Sequence, residues 1–141
     1  MKGLAFFDTN ILVYADDASE PRKQRRAISL LAEHQRENSL VVSLQVLQEY
    51  YATVTRKLKV DPAVAQSKVE ILARGRVVRF TEQDVIAAIE LHRLARLSFW
   101  DAMIVHAART VKASVLYSED LADGSVVAGV PVRNPFAALN T

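Results

Sequence analysis

Leu4-Ala5-Phe6-Phe7-Asp8-Thr9-Asn10 is the stretch that decides the fold. Four apolar residues run straight into an aspartate, and Ile11-Leu12-Val13-Tyr14 is apolar again. Such an unbroken run predicts a strand buried on both faces, as in a parallel sheet. Asp8 then stands at the carboxyl end of that strand. In open α/β sheets, ligands bind in the crevice outside the carboxyl ends of the strands. Asp is also a favoured helix N-cap, so Asp8 taken alone reads equally well as a cap or as a site residue.

Moving outward, strands and helices alternate. A short helical piece over 9–16 follows the first strand. Ser19-Glu20-Pro21 carries a capping serine and a first-turn proline, and its helix runs to Arg36 with Ala27, Leu30, Leu31 and His34 on one stripe. Leu40-Val41-Val42 is a second strand. Ser43 caps a helix over 44–58 whose stripe is Leu47, Tyr50, Tyr51, Val54 and Leu58. This stripe could serve a partner surface, but core is the better reading for Tyr50 and Tyr51. Asp61-Pro62 starts a helix carrying Val64, Val69, Ile71 and Leu72, which Gly75 ends. Val77-Val78-Arg79-Phe80 is the third strand. Thr81 and Asp84 have the spacing of a capping box for a helix to Arg96. Ser98 opens another helix, through Val111. Ser114-Val115-Leu116-Tyr117 is a strand, and the last strand falls within 126–132, on Val130-Pro131-Val132. The alternation predicts one α/β domain over residues 1–141, with a mostly parallel sheet and helices on both faces.

Composition narrows the function. The chain has 141 residues, half of them hydrophobic, with four Gly and four Pro, so a packed core is affordable and disorder is not expected. It has no cysteine, which excludes disulfides, zinc–cysteine sites and thiol catalysis. The N-terminal stretch does not resemble a signal peptide, and no apolar run approaches the ~20 residues of a membrane span. The expected location is the cytoplasm. Net charge is only +2, but Arg and Lys cluster at residues 22–26, at Arg56-Lys57-Leu58-Lys59, and at Arg74, Arg76 and Arg79. Such clusters are ordinarily solvated faces. They gain meaning only beside an acidic cleft.

Three further acids join Asp8. Asp101 lies in Ser98-Phe99-Trp100-Asp101-Ala102-Met103-Ile104, a segment apolar almost all round. It shares a face with Ile104, Val105 and Ala108, where a carboxylate is costly unless paired or metal-bound. The alternative is a capping box with Ser98. Asp120 sits just past the strand 114–117, where it could equally be a turn residue, and Glu119 and Asp123 compete with it. Glu49 falls opposite its helix's apolar stripe, so periodicity alone makes it a solvent-exposed acid. Carboxylates crowded at one sheet edge repel each other, and a hard cation such as Mg²⁺ or Mn²⁺ removes the conflict. His34, His92 and His106 have no ligand-like spacing and read as surface or core residues. There is no glycine-rich phosphate loop.

Phe7-Asp8-Thr9-Asn10-Ile11-Leu12-Val13-Tyr14, Gln48-Glu49, Ser98 through Ile104, and Leu116-Tyr117-Ser118-Glu119-Asp120-Leu121 together resemble the PIN-domain ribonucleases. More narrowly, they resemble the VapC toxins of prokaryotic toxin–antitoxin pairs. The resemblance implies a three-layer α/β/α fold and Mg²⁺- or Mn²⁺-dependent endonucleolytic cleavage of RNA. It implies an acidic quartet at Asp8, Glu49, Asp101 and Asp120. Of these, Asp8, Asp101 and Asp120 would be metal ligands, and Glu49 would help hold metal or its water. Thr9 and Asn10 would order the turn around Asp8, and Ser118 would supply a supporting hydroxyl. It also implies a homodimer and a cognate antitoxin, with RNA as substrate. Two other readings stand beside it. An aspartyl phosphatase would want a second acid two residues after its nucleophile, where this chain has Asn10. A non-catalytic module on the same fold would bind metal or protein without turnover.

Overall fold

The computed structural model describes residues 3–140. The expected domain of 1–141 extends over residues 1, 2 and 141, which lie outside the described residues. Strand β1 (Ala5–Phe7) leads into helix α1 (Thr9–Tyr14) and then α2 (Pro21–Arg36). Strand β2 (Leu40–Ser43) is followed by α3 (Leu44–Arg56) and α4 (Pro62–Ala73). Strand β3 (Arg76–Val78) precedes α5 (Glu82–Ala95) and α6 (Phe99–Thr110). Strands β4 (Val115–Tyr117), β5 (Val126–Val127) and β6 (Val130–Arg133) complete the sheet, and a 3₁₀ turn (Ala137–Asn140) follows.

The sheet order is β3-β2-β1-β4-β6-β5. All neighbours are parallel except β5 and β6. All three residues of β1 are fully buried, as a central strand covered on both faces must be. Its register places Phe6 beside Val41 of β2 and Leu116 of β4. One helical group contains α1 to α4, with α1 packed on α2 and α3, and α3 on α4. The other is the α5–α6 pair. The result is the expected three-layer α/β/α sandwich. The chain builds outward from β1 through β2 to β3, then returns to the other side of β1 at β4. The switch in strand order therefore lies between β1 and β4, where α/β sheets open a crevice.

Local signals mostly act as predicted. Ser43 Oγ accepts from the Val46 amide at 3.2 Å. Thr81 and Asp84 form a reciprocal capping box. His34 is buried between Ser39 and the rings of Phe7 and Tyr117. His106 is buried against Asp84, at 3.0 Å.

Three expectations fail. Ser19 does not cap α2: Glu20 occupies that position, and the Ser19 hydroxyl bonds Asp17 instead. Tyr51 is 40% exposed. The buried face of α3 is Val46, Leu47, Tyr50 and Val54, rotated away from Tyr51. Val64 and Ile71 are likewise exposed, because α4 turns Ala65 and Leu72 inward. The last strand falls on Val130-Pro131-Val132 as expected, within β6, and it forms a hairpin with the additional strand β5. Its turn residues Ala128 and Gly129 both have positive φ, at 49° and 82°, as a two-residue type I′ turn requires.

Candidate active site

Asp8 follows β1 directly. Its amide still donates to Tyr117 O at 2.9 Å, so it is the last residue tied to β4. Its carboxylate accepts from the Thr9 amide at 2.7 Å and caps α1. The cap reading therefore holds for one oxygen of the carboxylate, which leaves a second oxygen for other contacts. That second oxygen accepts from the Ser118 hydroxyl at 2.7 Å. Ser118 is fully buried, and its Oγ in turn accepts from the Asp120 amide at 3.1 Å.

Asp101 enters from α6. Ser98 Oγ accepts from the Asp101 amide at 3.0 Å, which is the serine half of a capping box. The Asp101 carboxylate itself joins Asp8 and Asp120, and one oxygen from each lies within 4.8 Å of the others. Asn10 holds the Asp120 side. Its Nδ2 donates to Asp120 Oδ2 at 3.1 Å, and its Oδ1 accepts from the Glu119 amide at 3.3 Å. Glu49 stands at the same cleft, half-buried rather than fully solvated. It accepts from Thr9 Oγ1 at 2.7 Å and from Gln45 Nε2 at 3.4 Å. Periodicity missed this because it weighs only burial against the core, whereas α3 also flanks the crevice.

The competing acids have other work. Glu119 accepts from Tyr14 Oη at 2.7 Å and pairs with Lys23 at 2.6 Å. Asp123 caps the Asn134 amide at 2.9 Å. Neither belongs to the cluster of three carboxylates.

The cleft encloses about 610 Å³. Asp8, Asp17, Glu49, Asp101, Glu119 and Asp120 line it, against one cation, Lys57. Lys57 belongs to the predicted Arg56–Lys59 cluster and has no ion-pair partner among the described residues. Its approach to the cleft, like those of Tyr14 and Trp100, was not foreseen from periodicity.

Electrostatics reflect the crowding. Burial pushes the Asp8 carboxyl up from its ordinary 3.8 to about 7. Hydrogen bonds from Ser118 and Thr9 oppose that rise, and the charges of Asp120 and Asp101 add to it. Asp101 is also raised, first by burial and then by Asp120 and Glu49, with Ser98 opposing. Hard oxygen donors, partly desolvated and mutually repelling, suit a hard divalent cation such as Mg²⁺ or Mn²⁺. No soft ligand is present: the chain has no cysteine, and no histidine is in the cluster.

No curated protein matches the chain. Mycobacterium tuberculosis VapC20, described as a sarcin-ricin loop cleaving toxin, is similar in structure at 24% identity and TM-score 0.67, over 82% of this chain and 89% of its own. VapBC2 from Rickettsia felis, solved with a promoter DNA fragment, is similar at 22% identity and TM-score 0.67, over 93% and 98%. A toxin–antitoxin complex from Klebsiella pneumoniae is similar at 19% identity and TM-score 0.66, over 93% and 97%. At these identities the likeness is one of fold. A sequence model of the PIN domain matches residues 5–122, a span that includes Asp8, Glu49, Asp101 and Asp120, and the chain therefore belongs to the PIN domain family.

Proposed function

We propose that this chain, a single PIN domain over residues 1–141, is a metal-dependent endoribonuclease and the toxin of a toxin–antitoxin pair. The observation that carries the reading is the convergence of Asp8, Asp101 and Asp120 from three separate elements onto one point within 4.8 Å. Crowding of this kind raises the energy of the unliganded site, and a structural role does not require it. The similar structures, one described as a sarcin-ricin loop cleaving toxin and another as a toxin–antitoxin complex, support the choice of RNA as substrate and of an antitoxin as partner. A homodimer acting in the cytoplasm fits the same reading. No helix among the described residues is long and apolar enough to cross a membrane.

In this reading Asp8, Asp101 and Asp120 hold Mg²⁺ or Mn²⁺. The bound cation supplies an activated water and offsets charge on the leaving oxygen in phosphodiester hydrolysis. The chain's own residues do the rest. Ser118 and Thr9 fix both oxygens of Asp8. Asn10 fixes Asp120. Glu49, oriented by Thr9 and Gln45, accepts a hydrogen bond from the attacking water. Lys57 offers the cleft's single positive charge to a backbone phosphate.

The test is cleavage of a mixed cellular RNA pool by purified protein with Mg²⁺, with Mn²⁺, with a chelator, and beside Asp8→Asn. Metal-dependent cutting that the variant lacks is the expected result. Cutting that survives in both the chelator and Asp8→Asn would overturn the assignment. A co-purified antitoxin would mask activity, so the assay is repeated after denaturation and refolding.

A further inference from the structure

Lys23 stands in the first turn of α2, just after Pro21 and Arg22. A cation there faces the positive end of the helix dipole, so the helix itself does not account for it. The surroundings of the ammonium do. Its Nζ lies 4.7 Å from the Tyr14 ring centroid and 5.7 Å from that of Phe136. Those two rings meet edge-on, with centroids 5.0 Å apart, and Phe136 is fully buried. The ammonium donates to Glu119 Oε2 at 2.6 Å and to Tyr14 Oη at 3.3 Å. Tyr14 Oη donates to the other glutamate oxygen, Oε1, at 2.7 Å. Groups from α1 and α2 thus occupy both oxygens of Glu119.

Glu119 immediately precedes Asp120, and its own amide donates to Asn10 Oδ1. It therefore sits in the turn that aims Asp120 at Asp8 and Asp101. A carboxylate left loose at this point lets the turn shift and carries Asp120 away from the other two. A carboxylate gripped on both oxygens does not. We propose that Lys23 is a positioning residue of the metal centre: with Tyr14 it clamps Glu119, and so holds Asp120 where the three aspartates can share one cation. Partners of this kind orient the groups that touch a metal, and losing one typically costs roughly 10- to 100-fold in metal affinity. The proposal rests on the metal-dependent reading of the acidic centre and adds to it a residue that acts only through Glu119.

The test is Mn²⁺ binding to the full chain after stripping with chelator, read by calorimetry and by the electron paramagnetic resonance of the bound ion. Lys23→Met keeps an unbranched stem between the rings and removes the charge. Glu119→Gln keeps an acceptor for Tyr14 and removes the ion pair. Each variant is expected to weaken Mn²⁺ binding roughly 10- to 100-fold. The double variant is expected to lose no more than the worse single one, because both break the same contact. Urea unfolding in chelator checks that each folds, and Glu119→Gln carries the test from the other side should Lys23→Met not fold. Wild-type affinity in either folded variant overturns the clamp, as do losses that multiply in the double variant. A wild-type chain that binds no Mn²⁺, or binds it no better than Asp8→Asn does, removes the metal reading itself. Binding that Asp8→Asn abolishes and Lys23→Met leaves intact removes only Lys23's part.

Discussion

Replacing Asp8 with asparagine is expected to stabilise the metal-free protein at alkaline pH and destabilise it in acid. Folding moves the Asp8 carboxyl from 3.8 to about 7, so the folded state binds this proton more tightly than the unfolded state. Stability therefore falls as pH rises from 3.8 through 7. Above that window the full cost is about 4 kcal/mol, at about 1.4 kcal/mol per pH unit. Asparagine keeps an oxygen for the Thr9 amide but removes the acceptor of the Ser118 hydroxyl, a loss of about 1–2 kcal/mol. The difference leaves Asp8→Asn about 2–3 kcal/mol more stable at pH 8. At pH 4 it is about 0.5–1.5 kcal/mol less stable, with a crossing at roughly pH 4.5–5. Urea unfolding followed by circular dichroism, in chelator, measures both ends. With Mg²⁺ or Mn²⁺ at about a hundred times its dissociation constant, the wild type should gain about 2.7 kcal/mol, and the variant should gain far less. A variant less stable than wild type at pH 8, or a difference that ignores pH, would refute the claim that burial and like charges strain this carboxylate.

Ser118→Ala should lower stability by about 1–3 kcal/mol at neutral pH, because it orphans a bond to Asp8 and one from the Asp120 amide; unfolding in urea, with RNA cleavage alongside, measures it. Lys57→Ala should weaken RNA binding and lower the slope of log affinity against log salt by about one, which filter binding across a salt series reads out. Lys23→Ala frees Glu119 from its ion pair and should reduce cleavage more than stability, since the pair tethers the segment bearing Asp120; parallel cleavage and melting assays separate the two. Asp84→Ala should lower the melting temperature at pH 7. Bonds from Thr81 and His106 hold the Asp84 carboxyl below its usual range, so its contribution is present above 3.8 and lost as pH falls through the lowered value. Wild type and variant melts should converge there.

The sequence carried the sheet and the principal acids because both are local signals. The apolar run before Asp8 could only be a two-sided strand, and Asp101 stood out as a charge on an apolar face. Three things were hidden for three physical reasons. Glu49 looks solvent-facing on a helical wheel because a wheel knows one core and no cleft. Val64 and Ile71 sit on a helix with apolar residues nearly all round, so periodicity offers no phase, and packing on α3 chose the side of Ala65 and Leu72. The β5–β6 turn uses Ala128 where Asn or Asp would advertise a type I′ turn, so the hairpin left no local signature. Choosing Asp120 over Glu119 required seeing that Tyr14 and Lys23 engage the glutamate.

The bonds that shape the centre span great lengths of chain. Ser118 reaches Asp8 across 110 residues, Asn10 reaches Asp120 across another 110, and Thr9 reaches Glu49 across 40. Loops of that size close late. At about 5–20 residues per second of synthesis, roughly ten seconds separate the emergence of Asp8 from that of Asp120. Throughout that interval the growing polypeptide holds a lone aspartate at a strand end, with neither its hydroxyl donor nor its third carboxylate. If the acids are the cutting machinery, potency arrives only with the last third of the chain, and a ribosome making this protein is exposed to nothing dangerous until the work is nearly done.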